Sequence, residues 1–348
     1  MTLSRRRFLL LGAGGALALG SGGAPAALLR SPPVPARWTP APAAPWGLQE
    51  IHAAVRGRSV VVAGGMRSAA DDRLRFETLS GTAILDAAAG TWERGPDLPA
   101  ARHHLALATA GGAVHGYGGF VGESLRDGFR FHDDVFALRG GRWSRAGRMP
   151  VPLGETVAGT LEGRVHLVTG SLHDPEEGPS GQSGEHLVHD PADGTWSRAR
   201  PAPTARSSAA GGVLDGRLYV VGGRRRAAGG FENLGALERY DPETDRWEEL
   251  RPLPRPAGGL AGAALDGVLH CFGGERFGPG GGEVFGTAWA YRPDTDEWRE
   301  MPPMPTPRHG LAAAAVDGRI HAIGGNTAPA VGAATSSTVE TLVPADPV

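Results

Sequence analysis

Six tryptophans stand in a fixed register with six closing pairs of residues. Trp38, Trp92, Trp143, Trp196, Trp247 and Trp298 each lie 27 residues before the second member of Gly64-Gly65, Gly118-Gly119, Thr169-Gly170, Gly222-Gly223, Gly273-Gly274 or Gly324-Gly325. The successive intervals are 54, 51, 53, 51 and 51 for both series. A period near 50 means one supersecondary unit repeated, because a unit of that size cannot bury its own apolar face alone. Within a unit the pattern predicts a first strand, as over residues 311–316, and a turn at Asp317-Gly318. A second strand, as over 320–323, ends at the glycines. A third, as over 237–240, leads through a polar turn at 241–245 to a fourth that opens at Trp247. Asp, Gly and Pro supply the positive or preset φ that such hairpins need. Glycine makes up 55 of the 348 residues with no period of three, so it punctuates strands and builds no collagen-like helix.

The run Arg217-Leu218-Tyr219-Val220-Val221-Gly222-Gly223, followed by Tyr240-Asp241-Pro242-Glu243-Thr244-Asp245-Arg246-Trp247, resembles the kelch repeat. In that family one repeat forms one four-stranded blade, so the resemblance implies an all-β, six-bladed propeller. It runs from Trp38 to the C-terminus. Blade three departs from the pattern with Thr169, and blade one has Val61 where other blades carry an aromatic residue or histidine. The chain ends where a seventh tryptophan would fall due, while Trp38 is in phase with no blade before it. Residues 36–40 are therefore expected as the outer strand of the last blade, beside 338–343, closing a seam that would leave unpaired edges. The tryptophan rings are expected to fill the wedges between blades.

The N-terminus reads as an address. Arg5-Arg6-Arg7-Phe8-Leu9, a short apolar middle and Ala24-Pro25-Ala26 make residues 1–26 a signal peptide that resembles the twin-arginine type. Residues 27–35 are a Pro-rich leader and 36–348 the propeller. Export to the periplasm or medium follows, with no membrane span left after cleavage. All basic residues are arginine, and formal charge is only −2. Lysine Schiff bases and phosphate-loop lysines are excluded, and no basic footprint for nucleic acid exists. Cys271, the only cysteine, sits in an apolar run and is expected to be buried and inert. A monomer without a cofactor is expected.

Up-and-down topology places the start of each inner strand and each second-to-third-strand loop on one face. All the variation in repeat length lies between the glycines and the next tryptophan, which makes that face the expected site of function. Its aligned triplets are Leu48-Gln49-Glu50, Arg102-His103-His104, Leu153-Gly154-Glu155, Arg206-Ser207-Ser208, Ala257-Gly258-Gly259 and Arg308-His309-Gly310. Arg102, Arg206 and Arg308 on alternate blades suggest a clamp for an anionic ligand. As the kelch resemblance also implies, the same arginines can instead hydrogen-bond loop carbonyls. Glu50, Glu155 and His103 are the candidate proton carriers, with His309 beside them. The two asparagines of the chain, Asn233 and Asn326, fall in loops of this face and are candidate polar contacts. Asp71, Asp72, Glu123, Asp127, Glu176, Glu177, Arg224–Arg226 and Glu232 add charge there, read mainly as solvated.

No metal site is expected. His115, His166, His270 and His321 occupy one packing position on different blades. Glu123, Asp127 and His132 approach the iron spacing of nitrile-specifier kelch proteins but with one residue too many. The cysteine and tyrosines are wrongly placed for a copper centre like that of galactose oxidase. Three functions remain: binding of a polar or anionic ligand, carbohydrate above all; sugar mutarotation, as in exported six-bladed kelch sialic-acid mutarotases; and scaffolding of a protein partner in the envelope.

Overall fold

The structure, a computed structural model, describes residues 35–69, 74–124, 126, 128–174, 178–228, 230–277, 282–329 and 334–344. The signal sequence and almost all of the leader lie outside these residues, as do Asp71, Asp72, Asp127, Glu176 and Glu177. Among the described residues there is no helix, and therefore none long and apolar enough to cross a membrane.

Six four-stranded antiparallel sheets form the blades of a propeller. Blade one, for example, runs outward through Ala53–Arg56, Ser59–Ala63, Thr82–Asp86 and Thr91–Arg94. The inner strands of the other blades are Ala106–Ala110, Val157–Leu161, Ala210–Leu214, Ala261–Leu265 and Ala312–Val316. They are rich in Ala and Gly because six strands converging on one axis leave little room for side chains. The second strands, such as Ser59–Ala63, are apolar on both faces because each is covered by a blade on either side. Outermost strands such as Thr91–Arg94 are largely exposed and carry charge.

Closure follows the sequence reading. Arg37–Ala41 pairs antiparallel with Val339–Val343, with Trp38 opposite Leu342 and Pro40 opposite Glu340. The outer edge strand of blade six is thus the first strand among the described residues. The apolar core divides into six clusters, one per gap between blades. The tryptophans serve these gaps in part. Trp143 alone of the six is fully buried, while the others are half-buried and bridge to a neighbour. Trp38 donates Nε1–H to Pro302 O at 2.8 Å, Trp247 to Arg200 O at 2.8 Å and Trp298 to Arg251 O at 2.8 Å. Each bond reaches back to the chain entering from the preceding blade.

The glycine pairs have a definite cause. The second member donates its N–H to a carbonyl of the following blade in all six cases: Gly65 to Arg102 O, Gly119 to Leu153 O, Gly170 to Arg206 O, Gly223 to Ala257 O, Gly274 to Arg308 O and Gly325 to Leu48 O, at 2.8–2.9 Å. That carbonyl sits over the first member, where a Cβ on Gly64 would come within 2.2 Å of Arg102 O. Gly64 also has φ +72°, a left-handed value open to glycine at little cost. Blade three holds Thr169 there at φ 60°, fully buried and with its hydroxyl unpartnered. A β-branched residue in this region is strained. Thr169→Gly should therefore stabilise the protein by about 0.5–1 kcal/mol, and Gly222→Thr destabilise it by roughly 2–3 kcal/mol. Urea unfolding of the two variants checks both signs.

Candidate functional site

The residue that opens each inner strand is left-handed in every blade: Glu50, His104, Glu155, Ser208, Gly259 and Gly310 have φ between 52° and 66°. Four of these residues donate backbone N–H to the equivalent residue of the preceding blade. Glu50 bonds to Gly310 O at 2.7 Å, and His104 to Glu50 O, Gly259 to Ser208 O and Gly310 to Gly259 O at 2.9 Å. The turn brings the side chains of this level to the central channel, a space of about 120 Å³ lined by Glu50, His52, His104, Glu155, Ser208 and small apolar residues.

Six ionisable side chains, one per blade, link at this level into a closed ring in which carboxylates alternate with basic groups. His104 Nε2 lies 2.9 Å from Glu50 and 3.5 Å from Glu155. Arg224 lies 3.5 Å from Glu155 and 2.9 Å from Glu275. His309 Nδ1 lies 3.2 Å from Glu275 and, across the closure seam, 3.7 Å from Glu50. Glu155 also accepts hydrogen bonds from the hydroxyls of Ser171 at 2.5 Å and Ser208 at 2.7 Å. Behind the ring, His103 Nδ1 meets His104 Nδ1 at 2.6 Å.

These contacts set the charge states. Burial acts to raise the Glu50 carboxyl, but His104, His309 and Arg224 together hold it far below the ordinary carboxylate range. Burial is likewise overcome at Glu155, by His104, Arg224 and the two serines, and its carboxyl is lowered. Burial alone would lower His104, yet Glu50 and Glu155 raise it above its usual 6.5. Glu275, Glu155 and Glu50 similarly keep the buried Arg224 fully charged. His103 is pushed well below 6.5 by burial and by His104, and His52, within the channel, is lowered to about 4 by the same two causes.

Two arcs of different character surround the ring. On blades one and two Phe76, Phe120 and Phe129 pack around His103, with Phe120 and Phe129 stacked at 5.6 Å. On blades four and five Arg224 lies against Phe231 and Phe277, 5.5 and 5.2 Å from their centroids. Short hairpin arms rise from the loops, and three carry the same Arg–Glu pair directly across the strands: Arg67–Glu77, Arg225–Glu232 and Arg276–Glu283.

Glu50, Glu155 and His309 are thus in the ring and His103 adjoins it. Asn233 supports it, donating to Glu275 O at 2.5 Å, and fully buried Asn326 accepts from Ala328 N at 3.0 Å. The arginine clamp is corrected. Arg102, Arg206 and Arg308 are buried, and each is held inside its own blade by a carboxylate on the third strand. Arg206 bonds to Glu238 at 2.7 Å and Arg308 to Glu340 at 2.9 Å, while Arg102 pairs with Asp134. Further bonds run to Ala236 O, Val220 O, Gly324 O and Thr338 O. These guanidiniums share no partner and leave no charge to the channel. Arg224, read as solvated loop charge, is instead buried in the ring. Glu275 and the ring role of His104 escaped the sequence reading, although Arg224 and Glu275 directly follow glycine pairs and His104 occupies the same triplet position as Glu50 and Glu155.

The fold and the repeat together define the class: this is a six-bladed β-propeller carrying kelch motifs, which match residues 205–254 and 258–305. It is similar to Kelch-like protein 35 of Mus musculus, 31% identical over 39% of this chain and 22% of that protein. It also resembles Kelch-like protein terF of Aspergillus terreus, 27% identical over 53% of this chain and 41% of the relative. Kelch-like ECH-associated protein 1A of Danio rerio is 33% identical over 32% of this chain and 18% of its own length. The chain therefore spans less than half the length of these relatives. Among solved structures, YjhT has the same fold, with TM-score 0.69 at 16% identity, covering 88% of this chain and 95% of YjhT.

Two expected outcomes follow. Arg206→Ala strands Glu238 in the core and should cost about 3–5 kcal/mol in urea unfolding. Acid should also weaken the fold. His52, His115, His166 and His270 are held down to about 4, 4, 3 and 4, chiefly by burial. Their contribution is complete above 6.5, the unperturbed value, and is lost as pH falls towards about 4. Lowered Glu50 and Glu155 add a further loss below 4.5. His104 runs the other way, its contribution present below 6.5 and lost as pH rises through its raised value. Urea midpoints should decline steadily from neutral pH to about pH 4; a flat profile would contradict the charge states given above.

Proposed function

We propose that the chain binds a polar, carbohydrate-like ligand at the channel mouth, on the face bearing the inner-strand starts and the hairpin arms. The observation that carries this reading is the division of the mouth into an aromatic side, where Phe129 is partly exposed over the buried Phe76 and Phe120, and a charged side, Glu155, Arg224 and Glu275. A pyranose has the same division: C–H faces that pack on aromatic rings, and hydroxyl or carboxylate edges that bond to charged groups. A largely apolar concavity with a few fixed polar groups is the general form of a small-molecule site. Arg224, charged and flanked by Phe231 and Phe277, is the guanidinium of the ring and the proposed partner of an anionic substituent.

A second reading is mutarotation of the bound sugar. It is favoured by the 3.5 Å approach of His104, an acid, to Glu155, a base, in one ring. Opening a hemiacetal needs a proton given to the ring oxygen and another taken from the anomeric hydroxyl. A protein partner on the hairpin arms is the competing outcome.

Both readings are checked on one sample by proton NMR with neutral and acidic monosaccharides. Saturation transfer should report binding, weakened about tenfold to a hundredfold by Arg224→Gln and by Phe129→Ala. Exchange between anomeric signals should quicken if the second reading holds, and lose that gain in Glu155→Gln. Sugar signals untouched by the protein, with a protein captured on the arms instead, would remove the carbohydrate assignment.

A further inference from the structure

The ring holds three carboxylates, Glu50, Glu155 and Glu275, against one guanidinium and two imidazoles. His309 meets the Ala328 carbonyl through Nε2 at 3.0 Å, a contact in which the nitrogen must donate. Its other nitrogen, Nδ1, faces Glu275 and Glu50 and is attractive to them only when it carries a second proton. The groups around His309 are these two carboxylates, from blades five and one, and the Ala328 carbonyl of its own blade.

His104 has a comparable setting. Its Nε2 lies between Glu50 of blade one and Glu155 of blade three, and its Nδ1 meets His103. Arg224 of blade four and His52 of blade one are the other charged or titratable groups acting on it. With both imidazoles protonated, three cations face three anions. With both neutral, two net negative charges remain at the mouth, close to the place where an anionic ligand would sit.

We propose that binding of an anionic ligand at this mouth is linked to protonation of His104 and His309, so that the site takes acidic sugars below neutrality and releases them as the imidazoles lose their protons. The proposal rests on the reading of the mouth as a carbohydrate site. Linkage makes the effect reciprocal: a ligand that prefers the protonated ring must also strengthen the hold of the ring on its protons.

The test uses the full propeller with glucuronate as the anionic probe and glucose as its neutral counterpart, titrated at about pH 5.5, 7 and 8.5, a span that brackets imidazole titration. Glucuronate affinity is expected to fall by up to about tenfold per pH unit for each linked proton, with glucose affinity level. The imidazole resonances of His104 should titrate at higher pH when glucuronate is present. His104→Gln and His309→Gln, each verified as folded by circular dichroism, should both flatten the glucuronate slope. Glucuronate binding with the same pH dependence as glucose, or wild-type slopes in both variants, overturns the linkage alone. Absence of binding by either sugar at every pH overturns the carbohydrate reading and the linkage together.

Discussion

The backbone hydrogen bond from the second residue of each closing pair to the next blade is the contact on which the architecture depends. It recurs six times, with the donor at the end of a second strand and the acceptor at the start of the following blade's inner strand. The acceptor carbonyl must lie almost on top of the first residue of the pair, which removes the space for a Cβ and selects glycine. The chain cannot then leave the blade in an extended conformation, and the next inner strand is fixed in height and direction. Four bonds between left-handed strand openers add an inner set of contacts. The circle of six contacts and these four inner bonds hold the blades in register, and the six apolar clusters fill the gaps they define.

The charge ring is a consequence of this geometry. A left-handed opener brings its side chain to the axis, and the residue after each glycine pair bridges to the neighbour of that opener, as Ser207 does with Arg224 and Gly258 with Glu275. Blades one to three supply ring members from the opener, namely Glu50, His104 and Glu155. Blades four and five have Ser208 and Gly259 there and supply Arg224 and Glu275 from the bridging position instead. Blade six, with Gly310 as its opener, supplies His309 from one residue earlier. Small openers on one side thus leave the space that long side chains from the next position occupy, so the ring closes although no single alignment column contains it. A strained backbone at non-glycine openers is retained where the side chain takes part in the ring or, at Ser208, bonds to it.

This explains what could be read from the residues alone. The 27-residue register gave the number of blades, the strand order and the closure by the N-terminal strand, because each is a property of spacing. Spacing also gave the level of Arg102, Arg206 and Arg308 along the axis, but not the direction of their side chains. A further regularity held the answer: Asp134, Glu238 and Glu340 follow those arginines by 32 residues in each case, and lie in the same alternate blades. A charge that recurs with its opposite at constant separation within one blade is an internal pair, whereas a charge present in one blade only, such as Arg224 or Glu275, is free to meet another blade at the axis. Repetition marks scaffold, and departure from repetition marks the site.

The same distinction separates the two classes of histidine. His115, His166, His270 and His321 repeat on the second strands, lie between blades, and are lowered chiefly by burial. His104 and His309 belong to different alignment columns and face two carboxylates each. Burial is common to both classes, so burial alone does not decide the direction in which an imidazole shifts: direct contact with Glu50 raises His104. That places the imidazoles in contact with carboxylates at the axis, and leaves the histidines between the blades as neutral packing groups. A propeller whose repeats are near copies can therefore build one asymmetric, chemically distinct mouth, because six slightly different blades each contribute a different side chain to the same small circle.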